Sequence, residues 1–149
     1  MRKLFAAVLT LVAVLGLYPV SYSVCPTWNV TVLDESGKPV AGMIVRRSCN
    51  DYSAGIHSEE DRETDQHGRA SFDARRVRVP RLIRWAGNAF NVVTQGVHAS
   101  FGRHSYVFAF GGGLEGSPIR DGYVEAWQGS PKHMESRIVA VPAAGLRNE

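Results

Sequence analysis

The segment from Val30 to Phe72 constrains the fold more than any other part of the chain. Two apolar runs flank the turn Asp34-Glu35-Ser36-Gly37-Lys38-Pro39, and a second turn, Asp65-Gln66-His67-Gly68, feeds a third run ending at Phe72. Trp28, Val30 and Val32 alternate with Asn29, Thr31 and Leu33, and Ala41, Met43 and Val45 repeat the alternation beyond the first turn. A period of two places alternate side chains on opposite faces of a strand, one of them toward a core. Each turn pairs an Asp, whose carboxylate accepts bonds from turn N–H groups, with a Gly free to take positive φ. Strands punctuated in this way predict an all-β sandwich, and the segment holds no set of side chains that performs a reaction.

The remainder reads as more strands. Signals resume at Arg69 to Phe72 and at Val77 to Trp85, where Pro80 forces an edge or a bend. Ala89 to Phe101 and His104 to Phe110, split by Gly102, read as a hairpin. Tyr123 to Trp127 and Arg137 to Val141 complete the set, and the polar interval Asn50 to Glu63 reads as a long exposed loop. No helix, repeat or heptad is expected. The 149 residues suit one domain with a substantial core.

The N-terminus carries Arg2 and Lys3, then the apolar run Leu4 to Leu17, then the small-residue site Ser21-Tyr22-Ser23. That order describes a secretory signal peptide. The expected division is therefore a leader over 1–23, a β-sandwich over 24–142 and a disordered tail over 143–149. Without Arg2 and Lys3, the 17 basic residues become 15 against 14 acidic ones, about +1 overall. Such a balance gives no large phosphate-binding surface, so nucleic acid is not an expected partner. Arg75, Arg76, Arg78, Arg81 and Arg84 form a local basic run, read as a solvated strand edge that an anionic partner could also use.

Cys25 and Cys49 are the only cysteines, and in an exported chain they should pair. Gly37 lies midway between them, so a fold-back about that turn brings both sulfurs to one end, on paired strands or on facing sheets. Closing the loop should stabilise the domain by about 3 kcal/mol.

The pattern VTVLDESGKPVAGMIVR followed by TDQHGRASF resembles the carboxypeptidase regulatory-like domain, one of the transthyretin-like (prealbumin-like) β-sandwiches of exported bacterial proteins. Asp34, Gly37, Pro39, Val40, Thr64, Asp65, Gly68 and Phe72 carry the resemblance. It implies a single seven-stranded or similar antiparallel or mixed sandwich, transthyretin-like or immunoglobulin-like, acting as a non-catalytic structural or recognition module. Past Phe72 the short Pro-Gly-x-Tyr element of that family is not found. Transthyretin-like hydroxyisourate hydrolases carry a histidine where this chain has Thr31, and their Tyr-Arg-Gly-Ser ending is absent. Intradiol dioxygenases, with a related sandwich, hold iron through tyrosines and close histidines. The nearest match here is His98, His104 and Tyr106, brought together only if a hairpin forms at Gly102.

Three readings of function follow. The first is a non-catalytic envelope or extracellular module, requiring no cofactor, whose partner is a protein or glycan. The second is a carbohydrate- or peptide-binding module that stacks ligands on exposed Trp85 and Trp127; Trp127 shares register with Tyr123 and Glu125, which favours partial exposure. The third is a small metal-dependent enzyme built on His98 and His104. The acidic cluster Glu59-Glu60-Asp61, with Glu63 and Asp65, lacks the alternating oxygen pattern of a dedicated calcium loop. Localisation is expected to be secreted or periplasmic, with no stable membrane span after cleavage.

Overall fold

The computed structural model describes residues 1–120 and 123–143. In chain order the elements are helix α1 (Arg2–Leu17), β1 (Pro19–Cys25), β2 (Thr27–Leu33), β3 (Ile44–Asp51), β4 (Ile56–Glu63), β5 (Arg69–Phe72) and β6 (Arg75–Pro80). Helix α2 (Arg81–Gln95) and a 3-10 turn (Gly96–His98) follow, then β7 (Arg103–Gly111), β8 (Leu114–Gly116), β9 (Ile119–Arg120) and β10 (Tyr123–Val124). The last are β11 (Ala126–Trp127), β12 (His133–Val139) and β13 (Val141–Pro142).

Two sheets dominate. One is three-stranded in the order β12-β2-β5; the other runs β13-β8-β7-β3-β4, with β11 on β7. β2 lies parallel to β12, with Val30 opposite Ser136, and antiparallel to β5, with Trp28 opposite Phe72. The alternation read along β2 decides which side chains meet the core: Trp28, Val30 and Val32 are buried together with Ala70, Phe72 and Ile138 of the same sheet. Val45, Val107, Ala109 and Trp127 come to that core from the other sheet. Burying each of the larger side chains contributes about 1.5–3 kcal/mol.

The two turns are one device used twice. Asp34 Oδ1 accepts from Ser36 N at 2.9 Å and Lys38 N at 2.8 Å; Asp65 Oδ1 accepts from His67 N at 2.8 Å and Arg69 N at 2.9 Å. The first turn does not close a hairpin. It carries the chain from the sheet of β2 to the sheet of β3, leaving one isolated bridge between Leu33 and Pro39. Thr64 Oγ1 ties the crossing down by accepting from Met43 N at 2.9 Å and donating to Val40 O at 2.8 Å.

Cys25 and Cys49 are bonded, with Cα atoms 5.7 Å apart, inside the ordinary range. The disulfide fastens the two-stranded β1-β6 sheet to β3, and Val24, Tyr22, Ile56 and Val77 pack around it.

Three expectations need correction. First, the fold is predominantly β but not all-β, since α1 and α2 are helical; and the described residues carry thirteen strand segments rather than about seven. Second, Asn50 to Glu63 is not a long loop. β4 pairs with β3 along its full length because its charges find partners there, Asp61 opposite Arg46 and Glu60 opposite Arg47. Third, no hairpin forms at Gly102: Ala89 to Gln95 belongs to α2, which Pro80 leads into as a fixed-φ cap. The residues from Leu82 to Val93 satisfy a helical period as well as a strand-like composition, and such runs are ambiguous by composition alone. The expected leader boundary after Ser23 falls inside β1, leaving its last two residues on the far side. The tail lies outside the described residues from 144 onward; Ala143 N donates to Gly113 O at 2.9 Å. Among the described residues no helix is long and apolar enough to cross a membrane.

Candidate recognition surface

β7 alternates strictly. Ser105, Val107 and Ala109 are buried, and His104, Tyr106, Phe108 and Phe110 point to the opposite, outer face. Tyr106 and Phe108 stack at 6.2 Å between ring centroids with planes 22° apart; Phe108 and Phe110 stack at 5.7 Å and 30°. The result is a strip of three rings along one strand. Its exposure is intermediate rather than full, with Tyr106 at 38%.

Polar groups border the strip because β3 pairs with β7 in register and β4 lies beyond it. Arg46, opposite Phe108, places its guanidinium 5.3 Å from the Phe110 ring centroid. It donates to Asp61 at 2.7 and 2.8 Å and lies 3.5 Å from Glu59. These bonds hold the Asp61 carboxyl below its usual range. Farther along the face, His57 Nδ1 and Asn50 Oδ1 are 2.7 Å apart. Beside Phe108 and Phe110 an open depression of ≈ 630 Å³ continues over Glu115, Ser117, Arg137 and Val139. Aromatic faces with a polar margin can stack the apolar face of a sugar or a peptide side chain while bonding its polar edge. A second open depression, ≈ 550 Å³, lies over Asn29, Thr31, Arg69, Ser71, Glu135 and Arg137 on the outer face of the smaller sheet; it has no aromatic lining.

The inner side of β3 is ionic and structural. Arg47 is buried, donating to the carbonyls of Pro26 at 2.9 Å and Asp73 at 2.8 Å and to Glu60 at 2.6 Å, with its guanidinium 4.9 Å from the Phe72 ring centroid. Burial lowers the Arg47 pKa. Partial burial raises Glu60, but bonds from Arg62 and Arg47 outweigh it and hold the carboxyl low. Asp51, fully buried, accepts from the Tyr22 hydroxyl at 2.6 Å and from Ser53 N at 3.0 Å, with Arg84 Nε 3.8 Å away. Burial, and then the bond to Asp51, push the Tyr22 phenol well above its usual range, so it stays protonated as a donor.

The expected site residues do not converge. Trp85 is 62% exposed on α2, whereas Trp127 is 1% exposed, beneath the Arg103 guanidinium, with its indole N–H donating to Pro131 O. Trp127 is therefore no stacking platform. The polar register that suggests exposure is satisfied inside: Glu125 accepts from Ser136 Oγ at 2.7 Å, and that hydroxyl accepts from Trp28 Nε1 at 2.9 Å. The Tyr123 side chain, the other member of that register, lies outside the described residues. His98 ends an exposed turn, while His104 stands edge-on to Tyr52 at 5.5 Å on β7. The hairpin that would join them is absent, and among the described residues no three His, Cys, Asp or Glu side chains gather as a metal would require. The acidic cluster is spent on Arg46, Arg47 and Arg62. What the sequence reading missed is the ring strip itself. Its signal, aromatics at 106, 108 and 110 against Ser, Val and Ala at 105, 107 and 109, is present but two-sided.

No family model matches the chain, and no curated protein matches it. Similar solved structures include 3-chlorocatechol 1,2-dioxygenase from Rhodococcus opacus 1CP, at 13% identity and TM-score 0.46, covering 78% of this chain and 59% of that one. Another is a point mutant of Acinetobacter radioresistens catechol 1,2-dioxygenase, at 14% identity and TM-score 0.43, covering 80% of this chain and 53% of that one. The chain thus spans little more than half the length of these enzymes, and likeness at this distance carries nothing about activity.

Proposed function

We propose that this chain is an exported recognition module of the carboxypeptidase regulatory-like type, without catalytic activity of its own, that binds a glycan or peptide in the cell envelope or outside the cell. The observation that supports it is the ring strip Tyr106-Phe108-Phe110, solvent-facing and edged by Arg46 and its carboxylates. The Cys25–Cys49 bond is of the kind exported domains keep. The leader pattern at the N-terminus and the repeated Asp-x-x-Gly turns agree with this reading. Removal of the leader would preserve β1 if the cut fell before Pro19 rather than after Ser23. No cofactor and no nucleic acid enter the proposal.

The test is titration of the protein with soluble oligosaccharides and peptides, followed by NMR or calorimetry, in parallel with Tyr106→Ala and Phe108→Ala. A ligand that uses the strip should lose at least about tenfold in affinity on either truncation. Thermal unfolding should stay cooperative in both variants. Binding that is equally tight in all three proteins would refute the assignment of the strip.

A further inference from the structure

We propose that α2 is a membrane-interface helix that lays its apolar face on an anionic lipid bilayer. The helix is mounted inside out. Arg84, Gly87, Asn88 and Asn91, at the spacing i, i+3, i+4 and i+7, form one polar side, and it is this side that meets the sandwich. The Arg84 guanidinium lies 4.5 Å from the Tyr22 ring centroid, and Asn91 Nδ2 donates to the carbonyls of Tyr52 at 3.0 Å and Ser100 at 3.2 Å. A Cβ on Gly87 would come within 2.2 Å of Ser53 O, so the backbone of the helix is held close on this side. The other side carries Leu82, Ile83, Trp85, Phe90 and Val93, exposed by 47, 50, 62, 66 and 85%.

A surface helix ordinarily buries its apolar stripe and wets its polar one. Here specific polar contacts hold the stripe outward. A helix that is strongly two-sided yet not very hydrophobic on average, with tryptophan on the apolar side and arginine nearby, has the composition of one lying in a lipid interface.

Charge decides between a bilayer and a second copy of the chain. From residue 74 to residue 114 there is no Asp or Glu, while Arg75, Arg76, Arg78 and Arg81, all exposed, lead into α2; Arg84 and Arg103 turn inward onto Tyr22 and add nothing to this face. Two such faces brought together would oppose like charges, whereas anionic headgroups neutralise them. This face is separate from the ring strip, and the proposal does not depend on what the strip binds.

The full chain is mixed with phosphatidylcholine vesicles, with and without phosphatidylglycerol, some carrying brominated acyl chains that quench tryptophan on contact. Trp28 and Trp127 are buried, so the difference between the wild type and Trp85→Phe isolates Trp85, and repeating it on the chain cut before Pro19 keeps α1 out of the reading. The expected result is quenching of Trp85 by brominated lipid in the anionic vesicles. Apparent affinity should fall roughly fivefold for each arginine removed in Arg76→Ser/Arg78→Ser. Phe90→Asp should return Trp85 to water; if that variant fails to fold, the more exposed Val93→Asp gives the same reading. The proposal is overturned if Trp85 stays open to aqueous acrylamide and untouched by brominated lipid while the buried tryptophans report an intact fold. It is equally overturned if Trp85 is shielded without lipid and sedimentation shows a dimer.

Discussion

Gly37 and Gly68 occupy equivalent places in the two Asp-led turns, and their surroundings separate them. Both have positive φ, 83° and 69°. Around Gly37 a Cβ would meet nothing within 4 Å, but at Gly68 it would stand 2.4 Å from Val32 O and 3.1 Å from Val40 N. Gly68 is where the second turn is pressed against the strand that the first turn leaves, and Val32 N donates to Gly68 O at 2.7 Å. Gly37→Ala should therefore cost only the left-handed backbone penalty, about 1–2 kcal/mol. Gly68→Ala must also displace backbone and should cost at least about 3 kcal/mol. Urea unfolding of the two variants side by side checks this, and equal losses would show that the close approach at Gly68 is not tight.

At the scale of elements, β1 and β6 form a small sheet joined to the larger one through few ties. These are the disulfide with the apolar side chains packed around it, the bond from Tyr22 to buried Asp51, the bond from Arg75 to Ser58 Oγ, and the bond from Arg103 to Ser23 O at 3.0 Å. Cys25→Ser/Cys49→Ser should lose about 3 kcal/mol, since the cross-link closes a loop between residues separated by 24 positions. Hydrogen exchange should rise first in β1 and β6, with β2 and β7 following only on global unfolding. Uniform loss of protection would show that the small sheet and the core unfold as one unit. The same logic explains β4, an edge strand with almost no apolar content. Its alternate carboxylates meet arginines of β3, and the remaining charge on an exposed edge discourages pairing with another chain.

For the molecule as a whole, stability should depend on acid in one direction. Asp34 is held below its ordinary pKa by bonds from Ser36 and Lys38, Asp65 by bonds from Arg69 and His67, Asp61 by Arg46, and Glu60 by Arg62 and Arg47 against the effect of partial burial. In each the folded-state pKa is depressed, so the unfolded chain binds protons first as pH falls. Their contribution is fully present above the unfolded value of about 4 and is lost as pH drops through the depressed folded values. Urea midpoints should stay level from neutral pH to about 5 and decline below about 4; a decline beginning near 6 would implicate histidine instead. The alternation of β2, the two Asp-to-Gly turns and the Cys25–Cys49 pair were legible in the sequence because each depends on neighbours in the chain or on a single possible partner. The helical state of Leu82 to Gln95, the pairing of β4, the burial of Trp127 and the outward face of β7 were not. In each of those, local pattern allowed two answers, and contacts from distant residues chose between them: Tyr52 and Ser53 for α2, Arg46 and Arg47 for β4, Arg103 for Trp127, and the opposing core for β7. Sequence by itself determined the two Asp-led turns and which residues can be buried; only the tertiary structure decided which of two competent states or faces was adopted, because that choice rests on the free energy of long-range packing.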